Sequence, residues 1–228
     1  MPGDGKTFKI KVLKDGPYLV TGGVPLSEKI IYPVDGIYEY RMGQEYPPAE
    51  KYTLCRCGHS KTPPFCDGSH HHVHFNGEET ASREGYAARA TVQEGPNLYL
   101  MDDDRCAFAR FCHRQGKDAW ELTDHSDDPK QREEAIKAAC DCPSGRLVAL
   151  DKEHNPIEYD HQPAIEILQD PSVNVSAAIF VKGYIPIEAV DGFIYEVRNR
   201  VALCRCGSSS NKPFCDMTHF TISFRDCT

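Results

Sequence analysis

The sequence predicts a mainly β fold with an α+β insert, because strand-forming patterns fill both ends of the chain and a helical pattern appears only between them. Alternating apolar residues at Phe8, Ile10 and Val12 indicate a half-buried strand near the start. A similar order of strand-like runs and turns returns in the last third of the chain, which indicates a duplicated module. A capping residue followed by proline, Asp128-Pro129, predicts a helix in the middle. The predicted parts are residues 1–85, 86–160 and 161–228.

The repeat can be followed from one strand to the next. The extended run from Tyr18 to Val24 corresponds to the run from Val173 to Ile179. Asp35-Gly36-Ile37-Tyr38-Glu39 corresponds to Asp191-Gly192-Phe193-Ile194-Tyr195-Glu196, and both copies then reach Leu-Cys-Arg-Cys-Gly. Two linked copies can pair about a pseudo-twofold axis as a homodimer would. We therefore expect a monomer with internal pseudo-twofold symmetry.

Composition and charge exclude several classes of function. A formal net charge of −8 without a Lys/Arg cluster argues against a nucleic-acid partner. No apolar run approaches the ~20 residues of a membrane span. The start, Met1-Pro2-Gly3-Asp4-Gly5-Lys6, does not lead into a signal-peptide core, so we expect a cytoplasmic protein. Since no catalytic triad, phosphate-binding glycine loop or paired-carboxylate pocket is evident, we predict no catalytic residues and no enzyme.

Three cysteines and one histidine occur twice with the spacing C-x-C-x8-C-x3-H. The candidate ligands are Cys55, Cys57, Cys66 and His70 in the first copy, and Cys204, Cys206, Cys215 and His219 in the second. Thiolates with one imidazole suit an iron–sulfur cluster or zinc. Disulfides are the alternative for the 11 cysteines, but the lack of an export signal and the close Cys-x-Cys pairs argue against them.

The spacing favours a two-iron site. On an extended backbone, residues two apart point the same way, so Cys55 and Cys57 can bind one iron. If Asp67 begins a helix, Cys66 and His70 lie one turn apart and can hold a second iron. Two ligands for each iron describe a [2Fe-2S] cluster. Structural zinc remains the alternative, although its usual ligand spacings fit Cys-x-Cys poorly.

The first ligand stretch resembles the CDGSH iron–sulfur domain of the NEET family, whose pattern is C-x-C-x2-[S/T]-x3-P-x-C-D-G-[S/A/T]-H. Residues 55–70 meet every position of that pattern. The second copy departs at Met217 and Thr218, where glycine and a small residue are usual, and Met217 bears on the local backbone more than on the ligands. The resemblance implies one [2Fe-2S] cluster in each copy, with the histidine-ligated iron nearer solvent. It also implies a β-rich fold in which two cluster-binding units pair, here within one chain.

Charged residues near these motifs are given structural interpretations. We interpret Arg56, Lys61, Arg205 and Lys212, which lie within the ligand stretches, as surface charges. The alternative is that they offset the charge of a cluster or donate hydrogen bonds to it. We interpret the acidic run at residues 102–104 as a solvated linker.

The middle segment contains a third candidate site. Cys106, Cys112 and the distant Cys142-Pro143 are similar to a bacterial ferredoxin motif in which Ala109 replaces the middle thiolate. The ending Cys-Pro-Ser-Gly-Arg-Leu resembles a divergent mono-cluster ferredoxin domain, except that Arg146 stands where alanine is usual. This resemblance predicts a small ferredoxin-like middle domain.

Three thiolates suit a [3Fe-4S] cluster, which we prefer for this site. A [4Fe-4S] cluster would need a fourth ligand, for which Cys140 and His113 are the nearby candidates. Unused structural cysteines are the alternative.

The sequence as a whole predicts an iron–sulfur protein that performs one-electron transfer with a redox partner protein. Cluster storage, cluster transfer to an apo iron–sulfur acceptor, or redox sensing is a second possibility. A zinc-stapled interaction module is a third, in which metal substitutes for a small core.

Overall fold

The computed structural model describes residues 7–226. The expectation for Met1–Lys6 lies outside these residues. Strand residues outnumber helical ones, 33% to 15%, which confirms the prediction of a mainly β fold. Strands β1 to β15 span Lys9–Val12, Tyr18–Thr21, Leu26–Val34, Ile37–Glu45, Lys51–Leu54, Thr91–Glu94, Tyr99–Asp102, His113–Arg114, Lys117–Asp118, Leu147–Leu150, Pro156–Ile157, Ala164–Asp170, Val175–Lys182, Ile187–Glu188 and Arg200–Leu203. Helices α1 to α5 span Ser69–His72, Tyr86–Arg89, Ala119–Asp124, Pro129–Cys140 and Thr218–Thr221, and a 3-10 turn spans Pro171–Val173.

Two sheets each combine strands from both ends of the chain. One sheet has the order β14-β1-β2-β5, and the other has the order β15-β13-β12-β3-β4. Strand β14 pairs in parallel with β1, where Ile187 lies opposite Ile10. Strand β3 pairs in parallel with β12, where Leu26 lies opposite Ile165. The last part of the chain therefore contributes one strand, β14, to the sheet of the first part, and the first part contributes two strands, β3 and β4, to the sheet of the last part.

The main core joins these two sheets. Alternation places one side of each strand inside, so that Ile10 and Val12 of β1 and Ile165 of β12 are fully buried in one cluster. Tyr18, at the start of β2, is also buried there and donates its hydroxyl hydrogen to the carbonyl oxygens of Cys204 and Pro213 at 2.7 and 2.9 Å. A side chain of the first segment thus supports the ligand loop of the last.

Most of the predicted strands are present, and one is not. The strand predicted at the corresponding position of the second copy, around Phe193–Glu196, is reduced to a single bridge between Glu188 and Ile194. The chain instead turns sharply, because the Ala189 N–H donates to the Phe193 carbonyl. Strand β14 has only two residues, so it cannot pair along the whole length of a strand at 193–196.

The middle segment forms a third sheet, β11-β10-β7-β6, covered by α3 and α4. Helix α4 begins where the sequence predicts, with the Asp128 carboxylate accepting a hydrogen bond from the Lys130 N–H. Ala135 and Ala139 of α4 are fully buried, which confirms the predicted apolar side. Within residues 7–226, none of the helices is both long and apolar enough to cross a membrane.

The interpretation of the acidic run as a solvated linker is wrong for two of its three residues. The Asp103 side chain is completely buried and accepts a hydrogen bond from Arg89 at 2.9 Å. Asp102 receives two hydrogen bonds from Arg146, at 2.6 and 2.7 Å. Only Asp104 has a largely exposed side chain. The run ends β7, and arginines from outside that strand neutralise it; Arg146 is also the residue that departs from the family pattern.

Candidate metal centres

The first pair of donors lies directly after strand β5. Cys55 and Cys57 are both buried, and their Sγ atoms are 3.7 Å apart. The Cys55 N–H donates to the Pro64 carbonyl, which holds the two arms of the ligand loop together. The structure thus brings these two sulfurs to one side of the backbone, as the spacing predicts.

The second pair is formed by Cys66 and His70, whose Sγ and Nδ1 atoms are 3.4 Å apart. Helix α1 begins at Ser69 rather than at Asp67, so Cys66 precedes the helix. The reason is that the Asp67 carboxylate accepts hydrogen bonds from the backbone N–H groups of Lys61 and Ser69, at 2.8 and 2.9 Å. Asp67 therefore closes the loop as a turn residue, and one helical turn is enough to return His70 to the cysteine.

The second copy repeats this geometry. The Sγ atoms of Cys204 and Cys206 are 3.6 Å apart, and the Cys215 Sγ lies 3.3 Å from the His219 Nδ1. Asp216 accepts hydrogen bonds from the N–H groups of Ser210 and Thr218. All eight predicted ligands of the two repeats are thus arranged as two pairs in each copy.

Met217 has the backbone conformation of the glycine that it replaces. Its φ and ψ are 64° and 3°, and those of Gly68 are 88° and 0°. Both residues precede a short helix in the left-handed region, which a side chain disfavours. The departure from the family pattern is therefore accommodated without moving His219 away from Cys215.

We expect Met217→Gly to raise the free energy of unfolding by about 1 kcal/mol, because it removes this backbone strain. Chemical denaturation of the metal-loaded protein measures the change. The reverse substitution, Gly68→Met, should be destabilising, since Gly68 has the same positive φ. A loss of stability in Met217→Gly would contradict the explanation.

The electrostatics of the cysteine pairs suit a bound cation. In each Cys-x-Cys pair one thiol donates a hydrogen bond to the other sulfur, which lowers the pKa of Cys55 and Cys204 and raises that of Cys57 and Cys206. Burial also raises the pKa of Cys215. Losing every proton would leave several negative charges close together, and a metal or cluster supplies the positive charge that offsets them. Across residues 7–226, no three His, Cys, Asp or Glu side chains converge as a group that could hold a single metal ion.

The two histidines differ in their access to solvent. His70 is partly exposed, whereas His219 is only 2% exposed. Phe220, next to His219, stacks on Phe108 of the middle segment with ring centroids 3.9 Å apart. The middle segment thus contacts the residue next to His219, and of the two histidines only His70 is open to solvent.

We expect acid to release metal from the first copy before the second. Protons compete with metal for the imidazole nitrogen, and burial with the nearby Arg205 lowers the pKa of His219 to about 4. His219 therefore stays neutral as the pH falls through roughly 6, the reference range of histidine. Partial burial and the neighbouring His71 also lower the pKa of His70, but its exposed side stays open to protons. Visible absorbance after a pH drop should decay in two phases. His70→Cys should slow the first phase and His219→Cys should not; a first phase sensitive only to His219→Cys would contradict the assignment.

The two ligand loops contact each other through a pair of glycines. A Cβ atom on Gly58 would lie 2.5 Å from the Cys206 carbonyl oxygen, and one on Gly207 would lie 2.5 Å from the Cys57 carbonyl oxygen. Both glycines have φ near +80°. This reciprocal contact requires glycine at both positions. It brings the backbones of the two Cys-x-Cys pairs into contact with each other.

The interpretation of Arg56 and Arg205 as surface charges is wrong. Their exposed fractions are 1% and 4%. Arg56 donates to the carbonyl oxygens of Gly16, Gly77 and Leu13, at 2.7 to 3.0 Å. A guanidinium has five N–H donors, so one arginine side chain can hydrogen-bond several loop segments and connect them to the ligand stretch. These arginines are thus structural, and the sequence pattern alone did not distinguish them from the exposed Lys61.

The three cysteines predicted for the middle site line a single cavity together with Phe108, Trp120 and Arg146. Burial and the negative charges of Cys142 and Cys106 raise the pKa of Cys112 to about 12. The structure therefore brings Cys106, Cys112 and Cys142 together. Neither candidate for a fourth ligand lines this cavity. Cys140 is buried and donates to the Ile157 carbonyl at 3.3 Å, and His113 is exposed.

The contact between the middle site and the second copy was not predicted from the sequence. Ala107, next to Cys106, packs in one cluster with Cys215 and with two alanines of β13 and β15. Cys106 is also near enough to contribute to the raised pKa of Cys215. Because the contact joins residues more than a hundred positions apart, no local sequence pattern indicates it; the short apolar run Ala107-Phe108-Ala109 is the one signal of a buried loop.

Comparisons with known families agree with this arrangement. The family model described as an iron-binding zinc finger of CDGSH type matches residues 15–71 and 177–220. The model described as a divergent 4Fe-4S mono-cluster matches residues 94–152, which lie between those two segments. No curated protein and no solved structure matches the chain. The chain therefore contains two CDGSH-type segments that flank a divergent mono-cluster domain, an architecture that supports iron–sulfur binding.

Proposed function

We propose that this protein performs one-electron transfer by means of two [2Fe-2S] clusters, each with three cysteine ligands and one histidine ligand, and one further cluster in the middle segment. The observation that carries the proposal is the arrangement of donors as two pairs in each CDGSH segment. The proposed ligands are Cys55, Cys57, Cys66, His70, Cys204, Cys206, Cys215 and His219 in the CDGSH segments, and Cys106, Cys112 and Cys142 in the middle segment.

The paired donors favour two irons over one zinc in each segment. A tetrahedral zinc site draws all four donors around one ion, whereas a [2Fe-2S] cluster binds two donors at each of two irons. Each pair has its two donor atoms 3.3 to 3.7 Å apart, and among residues 7–226 no three such donors converge on one point, which favours the second description. Bound clusters supply one-electron chemistry, and the imidazole in place of a thiolate favours higher potentials than four cysteines give.

For the middle segment we propose a [3Fe-4S] cluster, with [4Fe-4S] as the alternative. Three cysteines line the cavity, and neither Cys140 nor His113 does, which supports three thiolate ligands. The description of the matched family model specifies four irons, and that form would need a fourth ligand beyond the three cysteines.

The packing supports electron transfer within the chain. The loop that follows Cys106 lies against Cys215 through Ala107, and the Phe108 ring stacks on Phe220. This van der Waals contact favours electron exchange between the middle site and the second CDGSH segment. The first segment, where His70 is partly exposed, is the side that we propose for contact with a redox partner protein. The shared strands and the Gly58 and Gly207 contact support a monomer in which the two segments pair as an internal pseudo-dimer.

The same exposure favours a second candidate function, which is donation of a cluster to an apo iron–sulfur protein. A ligand that protons and thiols can reach from solvent is also one that can be exchanged, and His70 is such a ligand while His219 is not. Under this function only the first segment would donate its cluster.

Reversible reduction tests the proposed function. Dithionite should bleach the anaerobically purified protein, and reoxidation should restore the spectrum without loss of iron. A three-iron centre is paramagnetic when oxidised, so EPR should show it before reduction. Cys142→Ser should abolish that signal, and the control Cys140→Ser should keep it. Transfer of the visible absorbance to an apo-ferredoxin would instead support donation, and a colourless protein that contains zinc would contradict both functions.

A further inference from the structure

One buried hydrogen-bond donor beside the middle site has no acceptor in the protein. Within residues 7–226, three buried side-chain polar atoms lack a hydrogen-bond partner, and the Nε of Arg110 is one of them. Arg110 lines the cavity that Cys106, Cys112 and Cys142 also line. An unpaired N–H in a protein interior costs free energy, so native structures rarely keep one without a group that accepts it.

The two terminal nitrogens of Arg110 are bound to residues outside this cavity. Nη1 donates to the Tyr38 hydroxyl at 3.2 Å, and Nη2 donates to the Ser172 hydroxyl at 3.1 Å and to the Asp170 carboxylate. None of these three partners lines the cavity of the middle site. Because they account for both terminal nitrogens, Nε is the donor that remains for a group bound in the cavity.

The position of the Arg110 guanidinium is fixed by its surroundings. It lies over the ring of Tyr38, 4.3 Å from the centroid, and 5.6 Å from the centroid of the Phe108 ring. The side chain of its partner Asp170 is only 1% exposed, so turning Arg110 away would leave a buried carboxylate unpaired. The Nε–H is therefore held in place before any group binds in the cavity.

Net charge does not distinguish Arg110, because each of the two arginines that line this cavity is paired with a carboxylate. What Arg110 adds to the site is an N–H group. Thiolate and inorganic sulfide accept hydrogen bonds from such groups. The backbone N–H of Phe108 already makes one, to the Cys106 Sγ at 3.3 Å. A further sulfur acceptor in the cavity would satisfy the Nε of Arg110.

We propose that the Arg110 Nε–H donates a hydrogen bond to a sulfur atom of the middle cluster and makes the reduction potential of that cluster more positive. The reduced cluster carries one more negative charge than the oxidised cluster, so the donor stabilises the reduced form more strongly. Ala109, which stands where the related motif has a cysteine, lines the same cavity. The donor therefore follows directly on the position that lacks a thiolate. This proposal rests on the proposed middle cluster.

Pulsed EPR of protein whose arginines carry ¹⁵N only at Nε tests the contact directly. Oxidised [2Fe-2S] clusters are diamagnetic and an oxidised three-iron centre is paramagnetic, so the spectrum of the oxidised protein reports only nuclei near the middle cluster. We expect a ¹⁵N coupling in the wild type and none in Arg110→Lys. Absence of the coupling in the wild type, as when an ordered water accepts the Nε–H, would overturn the proposal. Its persistence in Arg110→Lys would assign it to another arginine and would also overturn the proposal.

Redox titration tests the effect on the potential, for a three-iron or a four-iron cluster alike. Arg110→Lys keeps a positive charge for Asp170 and loses the Nε–H. At the wild-type midpoint of the middle cluster, its ratio of reduced to oxidised cluster should fall at least about threefold, since a hydrogen bond to a charged group contributes about tenfold or more and only part of it differs between oxidation states. The control Ser172→Ala removes an acceptor from the other end of the same guanidinium and should leave the ratio unchanged.

Equal midpoints in Arg110→Lys and wild type would overturn the proposal, and so would an equal shift in Ser172→Ala. If Arg110→Lys does not assemble the cluster, Arg110→Met combined with Asp170→Asn provides the second variant, because it removes both charges of the ion pair together; an unshifted midpoint there would contradict the assignment. Iron and sulfide content, measured on the same samples, separates the two proposals. Wild-type protein without a middle cluster would overturn both, whereas a loaded cluster that is insensitive to Arg110 would overturn only this one.

Discussion

Gly58→Ala should lower the free energy of unfolding by about 2–5 kcal/mol, combining the strain of a positive φ with forced overpacking against backbone. The added Cβ would lie 2.5 Å from the Cys206 carbonyl oxygen and 2.8 Å from its carbon, so one ligand loop would have to move. Gly207→Ala should have a similar effect, since it meets the Cys57 carbonyl in the same way. Chemical denaturation measures the stability, and visible absorbance reports whether the clusters remain bound.

Gly68→Ala is the matched control for this prediction. Gly68 has a comparable φ of +88°, but nothing lies within 4 Å of the position that its Cβ would occupy. It should therefore show the strain alone, about 1–2 kcal/mol. Equal losses in Gly58→Ala and Gly68→Ala would mean that the contact between the two loops has no energetic role, which would contradict the proposed pairing of the two CDGSH segments.

Arg205→Ala should lower the free energy of unfolding by about 3–5 kcal/mol, as removal of one partner from a buried ion pair does. Arg205 donates to the carbonyl oxygens of Ala177 and Leu168, at 2.6 and 2.8 Å, and pairs with Asp226. The substitution would leave these acceptors without their donor and would leave the Asp226 carboxylate unpaired. Denaturant titration of the metal-loaded protein measures the loss.

The exposed Arg225 is the control, because it donates a single hydrogen bond to the Asn174 carbonyl, at 3.2 Å. Arg225→Ala should change the stability by less than about 1 kcal/mol. Adding Asp226→Leu to Arg205→Ala should recover part of the loss, because it removes the unpaired charge. No recovery would show that the two backbone acceptors, rather than the ion pair, account for the effect.

Features that depend on neighbouring residues were predictable from the sequence. The helix cap at Asp128 and the Cys-x-Cys contact follow from side-chain positions fixed by one turn or one extended stretch. The start of α1 was misplaced by two residues, because Asp67 bonds two backbone N–H groups instead of entering the helix. Neither the hydrophobic period nor the ligand spacing indicates whether Asp67 begins the helix or accepts hydrogen bonds in the turn before it.

Features that depend on distant residues were not predictable. The burial of Arg205 requires acceptors on β12 and β13, and the burial of Asp103 requires Arg89 to approach from another element. A charged residue among polar neighbours has the same local pattern whether it is solvated or enclosed. The contact between Phe108 and Phe220 of the second CDGSH segment also depends on distant residues. For this reason the equal donor spacing of the two repeats did not indicate that His219 is more buried than His70.

Acid-labile sulfide and iron, measured together with zinc in protein purified without oxygen, test the central claim most directly. The account predicts roughly seven to eight irons for each chain, two from each CDGSH segment and three or four from the middle segment, with a comparable amount of sulfide and no stoichiometric zinc. Protein that contains zinc and lacks acid-labile sulfide would contradict it.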